Sequence, residues 1–202
     1  MAATAERVVL ASASTARATL LRASGIAFAV APTAIDEAQL KREAREAGAS
    51  AIDCAANLAA AKAAFISDRM PQAWVIGADQ ILAMGSQWFD KPRDLGESRA
   101  QLQALRGHSH TLATAACVAR GGERVWRATS VAEMTMRRFS EAFLEEYIAA
   151  EGEGLLGSVG AYRLEGRGVQ LFSRINGDHF AVLGLPLIEL LGFLRERGVV
   201  LS

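Results

Sequence analysis

Apolar residues along this chain fall into two rhythms. Short continuous runs at residues 8–11, 28–31 and 74–78 read as buried strands, because strands covered on both faces lose the polar alternation. Between them the spacing turns helical. Ser14 is a natural N-cap for a helix over residues 15–24, closed by Gly25, and Ser50 with Asp53 resembles a capping box opening an alanine-rich helix to about Arg69, with Pro71 beyond its end. After Gln80 the extended pattern continues over 81–84 into a turn at Gly85-Ser86. A helix is expected over 95–105, ended by Gly107. Residues 111–119 and 124–136 flank Gly121-Gly122 as a long hairpin. Ser140 caps an amphipathic helix containing Phe143, Leu144, Tyr147 and Ile148. Glycines break residues 152–168 into loops and turns, 169–175 is a strand, and 186–197 a last helix with Gly198 at its C′ position. The order is mixed α/β.

Half of the 202 residues are hydrophobic and 22% are charged, enough for one domain spanning 1–202, in one body or two lobes. Lys plus Arg equals Asp plus Glu, 22 of each. That balance argues against a general nucleic-acid binder, which needs a basic face, but leaves room for a small anion in a local basic pocket. Cys54 and Cys117 sit in apolar surroundings and read as buried hydrophobes in a reducing compartment rather than a disulfide or a metal site. No membrane span or signal pattern is expected, which points to the cytoplasm.

Four polar features interrupt the apolar pattern. Ser12-Ala13-Ser14-Thr15-Ala16-Arg17 joins a strand end to a helix N-terminus, where free N–H groups and Arg17 suit a phosphate; simple capping beside an exposed arginine explains the residues as well. Asp36 and Glu37, in the loop after the second strand, offer oxygen ligands to Mg²⁺ or Mn²⁺, or form a solvated acidic turn. Asp79 ends a hydrophobic strand behind Gly77 and Ala78, the place where open α/β sheets bind ligands; a structural, paired carboxylate is equally consistent. Lys62 and Lys91 are cations near these carboxylates in sequence order, or surface lysines. His108, His110 and His179 have no metal-like spacing and read as structural or rim residues.

Taken in order, the segments resemble the Maf family of nucleotide pyrophosphatases over essentially the whole chain. The resemblance rests on Leu10-Ala11-Ser12-Ala13-Ser14-Thr15-Ala16-Arg17-Ala18-Thr19-Leu20-Leu21, then Ile35-Asp36-Glu37, Leu58-Ala59-Ala60-Ala61-Lys62-Ala63 and Val75-Ile76-Gly77-Ala78-Asp79-Gln80. Lys91-Pro92-Arg93-Asp94, Leu105-Arg106-Gly107-His108-Ser109-His110 and Gly184-Leu185-Pro186-Leu187 complete it. Two departures are visible. Thr15 and Ala16 stand where the opening signature usually has Pro and Arg, and Gly157-Ser158-Val159-Gly160-Ala161-Tyr162 lacks the usual lysine.

The resemblance implies an elongated, two-lobed mixed sheet with flanking helices, like the inosine-triphosphate pyrophosphatases. It implies a divalent cation, Mg²⁺ or Mn²⁺, held by Glu37 and Asp79, with Asp79 as the proton acceptor. Ser12, Ser14, Arg17, Lys62 and Lys91 would grip the triphosphate. The specificity positions fall at Ala16, Gln80 and Glu165: the dTTP/UTP branch typically carries Arg, Thr and Gln there, whereas Gln80 and Glu165 are similar to the branch acting on 7-methylguanosine triphosphate. The implied reaction converts a nucleoside triphosphate to the monophosphate and pyrophosphate. A homodimer is a further family-level expectation, as is a link to septum formation that would make a non-enzymatic regulator the rival reading.

Overall fold

A computed structural model describes residues 7–201. In chain order the elements are β1 (Val8–Leu10), α1 (Thr15–Ala23), β2 (Phe28–Val30), α2 (Glu37–Glu46), α3 (Ala51–Ser67), β3 (Trp74–Met84), β4 (Gln87–Phe89) and α4 (Leu95–Leu105). Then follow β5 (Ser109–Arg120), β6 (Glu123–Met136), α5 (Glu141–Glu151), three short 3-10 turns between Gly152 and Leu171, β7 (Phe172–Asn176), α6 (His179–Val182) and α7 (Leu187–Glu196). The strands form one mixed sheet in the order β2-β1-β3-β5-β6-β7, with β4 paired to β3. β1 runs parallel to both β2 and β3, whereas β3–β4 and β6–β7 are antiparallel. Among the described residues no helix is long and apolar enough to cross a membrane.

Most elements stand where the hydrophobic pattern puts them. One expected loop does not. Asp36 and Glu37 open α2, a helix without a single buried residue. Its apolar residues, Ala38, Leu40 and Ala44, are too few to mark a buried face, and it forms on its cap and on good helix formers such as Glu, Ala, Gln and Lys. The last strand begins at Phe172 instead of 169, because residues 167–171 are wound into a 3-10 turn.

The chain divides into two compact units. The first takes the residues up to Gln80, Thr114–Ser130 and the chain from Asp178 onward. Its sheet is covered on both faces. On one face α3 lies against the odd-numbered positions, with Ile66 packed on Val9, Ala11 and Val75. On the other, Ala18 and Leu21 of α1 and Leu190, Phe193 and Leu194 of α7 pack on Val8, Leu10, Trp74, Ile76 and Ala78. The alternation of strand side chains thus sorts β3 into two environments.

α3 approaches the sheet closely because its inward residues are small. A Cβ added at Gly77 would lie 2.2 Å from the Ala59 carbonyl oxygen and 2.7 Å from the Ala63 nitrogen. That contact is with helix backbone, which cannot step aside as a flexible side chain can.

The second unit takes Ile81–Ala113 and Val131–Gly177. α4 and α5 are tied by the ion pairs Arg99–Glu145 and Arg106–Glu141, the latter at 2.6 Å. The Gln101 side chain accepts from Gly160 N at 3.1 Å and donates to Asp90 O at 3.0 Å, so one amide fixes a 3-10 turn and the segment next to Lys91. His110 is buried, with Nε2 2.9 Å from the Tyr162 hydroxyl and its ring beside Phe172. Burial holds its imidazole low, at about 4 against an ordinary 6.5.

Two outcomes follow. Gly77→Ala should destabilise the protein by about 1–3 kcal/mol, as overpacking against a rigid neighbour does, read as a lower urea midpoint; an unchanged midpoint would refute the close approach of α3. The unfolded chain binds a proton at His110 near pH 6.5 and the folded chain only near 4, so stability should fall as pH drops through that window. The fall, measured by urea unfolding at pH 7 and pH 5, should shrink in His110→Gln.

Candidate active site

β3 carries the central acid. Its eleven residues are apolar apart from Asp79 and Gln80, with Gly77 lacking a side chain, and the strand is buried over most of its length. Asp79 is 5% exposed, and a carboxylate so placed is costly unless paired. Its Oδ1 accepts from Lys62 Nζ at 2.5 Å, while Oδ2 is buried with no hydrogen-bond partner among the described residues.

Lys62 reaches that position because of helical geometry. Ala55, Leu58, Ala59, Lys62, Ala63 and Ile66 form the buried stripe of α3, spaced by three and four residues. The lysine is therefore the one charged member of an inward face. Its Nζ meets a second carboxylate, Glu37 Oε1, at 2.9 Å. Glu37 and Asp79 thus converge on a single ammonium, from an element boundary and a strand 42 positions apart in the chain.

The adjacent pair Asp36 and Glu37 divides its work. Asp36 Oδ1 accepts from Gln39 N at 2.8 Å and caps α2, so of the two only Glu37 turns toward the lysine. Glu37 stands in the first helical turn rather than in a loop, and its side chain is 43% exposed while those of Lys62 and Asp79 are 6% and 8%. The cluster is open on the glutamate side.

Arg17 lies under this cluster on α1 and is buried. Its Nε donates to Gly184 O at 2.8 Å and its Nη1 to Ala78 O at 2.8 Å and to Ser12 Oγ at 3.2 Å. Burial pushes the guanidinium down from its usual range, and the fields of Asp79 and Glu37 oppose that shift. Ser12 Oγ also accepts from Ser14 N at 3.2 Å, and Ser14 Oγ from Arg17 N at 3.4 Å. These hydroxyls organise the N-terminal turn of α1, whose dipole end favours an anion. Ala16 sits in that same turn.

Gln80 faces the other way. Successive strand residues point to opposite faces, and the Gln80 side chain meets Thr114, Ala181 and Val182 instead of α3. Its Nε2 donates to Thr114 Oγ1 at 2.8 Å and lies 3.1 Å from both Ala181 O and Val182 O. Thr114 in turn gives its hydroxyl proton to Ala181 O at 2.9 Å. Three acceptors on one side fix the amide so that the NH₂ is inward and the oxygen lies on the other branch. Nothing in the sequence pattern announces this bonding or the two carbonyls that seat Arg17, because backbone acceptors carry no residue signature.

Two further residues singled out from the sequence, Lys91 and Glu165, belong to the second unit. Lys91 is exposed on the segment between β4 and α4. Glu165 is exposed, with Oε1 3.4 Å from Arg163 Nε. Cys54 and Cys117 are unbridged and buried, as read from their surroundings, and burial pushes the Cys117 thiol up to about 11.

The donor set suits a hard divalent cation of limited protein ligation. Glu37 and Asp79 supply carboxylate oxygens, one of them the unpartnered Oδ2. Among the described residues no group of three or more His, Cys, Asp or Glu side chains could hold an ion alone. Mg²⁺ is commonly held by one or two carboxylates with the rest of its shell from water and substrate phosphates, which matches this economy.

Comparison with known proteins agrees with the geometry. The chain matches the family described as Maf-like protein over residues 7–197. It is 51% identical over 191 residues to a nucleoside triphosphate pyrophosphatase of Granulibacter bethesdensis, covering 95% of this chain and 97% of that protein. It is 46% identical over 202 residues to a nucleoside triphosphate pyrophosphatase of Rhodospirillum rubrum, covering all of both chains. A 7-methyl-GTP pyrophosphatase of Rhizobium meliloti is 45% identical over 193 residues, 96% of this chain and 97% of that one. With its cation-linked carboxylates, its buried arginine and a match running nearly end to end, this chain belongs to the Maf family.

Proposed function

We propose that the protein is a nucleoside triphosphate pyrophosphatase, a hydrolase that cleaves the α–β phosphoanhydride to a nucleoside monophosphate and pyrophosphate. The observation that carries this reading is the convergence of Glu37 and Asp79 on one positive charge above Arg17. Carboxylates gathered around a cation position, beside a helix N-terminus and fixed positive charge, are the parts that phosphoryl transfer needs.

Glu37 and Asp79 would hold a Mg²⁺ or Mn²⁺ ion. When bound, that ion supplies Lewis-acid polarisation of phosphate oxygens and charge neutralisation on the pyrophosphate leaving group. Asp79 accepts the proton of the attacking water. The water oxygen bonds to the α-phosphorus as the bond to the bridging oxygen breaks, and the electron pair leaves with pyrophosphate. Arg17, seated by Ser12, Ala78 O and Gly184 O, places a fixed charge next to the reacting groups with little reorganisation. Ser14, the first turn of α1, Lys62 and Lys91 complete the grip on the triphosphate.

We place the activity in the cytoplasm as a house-cleaning reaction, with a preference for 7-methylguanosine triphosphate. Gln80, its NH₂ committed to three acceptors, has only its oxygen to offer a base, and Glu165 is likewise an acceptor. Two acceptors favour a base edge bearing N–H donors, as guanine has. Ala16 contributes a small side chain where the pyrimidine branch typically has arginine.

Asp79→Asn should retain the fold and lower kcat by about 10²-fold or more, followed as pyrophosphate release; near-normal turnover would remove Asp79 from the mechanism. Glu165→Gln should shift preference toward pyrimidine triphosphates in a panel that includes dTTP, UTP, GTP and 7-methyl-GTP. An unchanged ranking would defeat the base-recognition argument.

A further inference from the structure

Lys62 does more than wait for a phosphate. Its ammonium is 2.5 Å from one carboxylate and 2.9 Å from another, and the residue is 5% exposed. A charge already stands where Glu37 and Asp79 would receive a divalent cation. The two positive charges cannot share those oxygens without strong repulsion in so dry a place. Arg17 is pinned by three acceptors on separate segments, whereas Lys62 rides on four rotatable methylenes and, among the described residues, its Nζ meets two carboxylates. Of the two cations, the lysine is the one free to move. Asp79 Oδ2, buried and unpartnered, is an oxygen that an incoming ion can engage while the lysine still holds Oδ1.

We infer that Lys62 is the resident counter-ion of the metal-free site, and that it trades places with the divalent cation, releasing its ammonium to the phosphates of the nucleotide. The inference rests on the reading of Glu37 and Asp79 as the cation site. The resident lysine keeps two carboxylates together that would otherwise repel, so the site is assembled before any ligand arrives. It also makes an ion alone a poor ligand, since the displaced ammonium then lacks an anion. A triphosphate supplies that anion. Ion and nucleotide therefore bind with positive coupling, and the coupling passes through one side chain.

The test is Mn²⁺ binding to the nucleotide-free protein, measured by electron paramagnetic resonance and calorimetry. Lys62→Met, similar in length and uncharged, should bind Mn²⁺ about tenfold tighter or more than the wild type, while Lys62→Arg, which keeps the charge, should not. Equal or weaker binding by Lys62→Met would overturn the exchange and leave the cation site standing. If wild type and variants all fail to bind Mn²⁺, even with a non-hydrolysable triphosphate, the cation-site reading falls and the exchange with it. A measurement on the wild type alone covers the case in which Lys62→Met does not fold. Amine acylation of Lys62, followed by mass spectrometry, should rise with saturating Mg²⁺ and fall again when the non-hydrolysable triphosphate is added. Acylation indifferent to Mg²⁺ would overturn the proposal.

Discussion

A lysine taken almost entirely out of water must keep its charge neutralised, and here that duty is divided between Glu37 at the start of α2 and Asp79 inside β3. Much of the first unit serves that arrangement. The alanine-rich face of α3 and the missing side chain of Gly77 let helix and sheet approach until the ammonium reaches the carboxylate. The cap at Asp36 sets where α2 begins, and hence where Glu37 stands. Removing any one partner from a buried cluster of this kind leaves the others uncompensated, so the three residues are best regarded as a unit.

Strand geometry then separates two tasks. Asp79 and Gln80 are neighbours in sequence, yet an extended chain sends their side chains to opposite faces of the sheet. One face holds the charged cluster against α3. The other holds an amide whose donors are consumed by Thr114 and the backbone of α6. Charge and hydrogen-bonding pattern can therefore vary independently along one strand, a useful property in a family whose members carry names for different nucleotides.

Much of this was legible in the amino-acid order. Val8-Val9-Leu10 and the run from Trp74 carry the signature of strands buried on both faces, and Ser14, Ser50 and Ser140 are N-caps as their positions suggested. Lys62 offered a clearer signal than composition allows, because its spacing from Leu58, Ala59 and Ile66 puts it on an apolar stripe. A surface lysine would fall off that stripe. What could not be read was of two kinds. α2 buries none of its residues, and its few apolar side chains, Ala38, Leu40 and Ala44, did not set it apart from a polar loop. Apart from the Ser12 and Thr114 hydroxyls, the partners of Arg17 and Gln80 are main-chain carbonyls of Ala78, Ala181, Val182 and Gly184, groups that every residue possesses and no pattern marks.

The seating of Arg17 has a bearing on biosynthesis. One of its acceptors is the carbonyl of Gly184, 167 positions downstream, and α7 closes the core that α1 helps to form. During translation the first helix is made early but cannot dock its arginine until the segment carrying Gly184 has left the ribosome. Long-range closures of this sort slow folding, because a large loop must be ordered before the contact repays it. A nascent chain that stops short of Gly184 would hold the acids and the lysine without the arginine's final anchor, so the charge constellation is completed only when that late segment folds back.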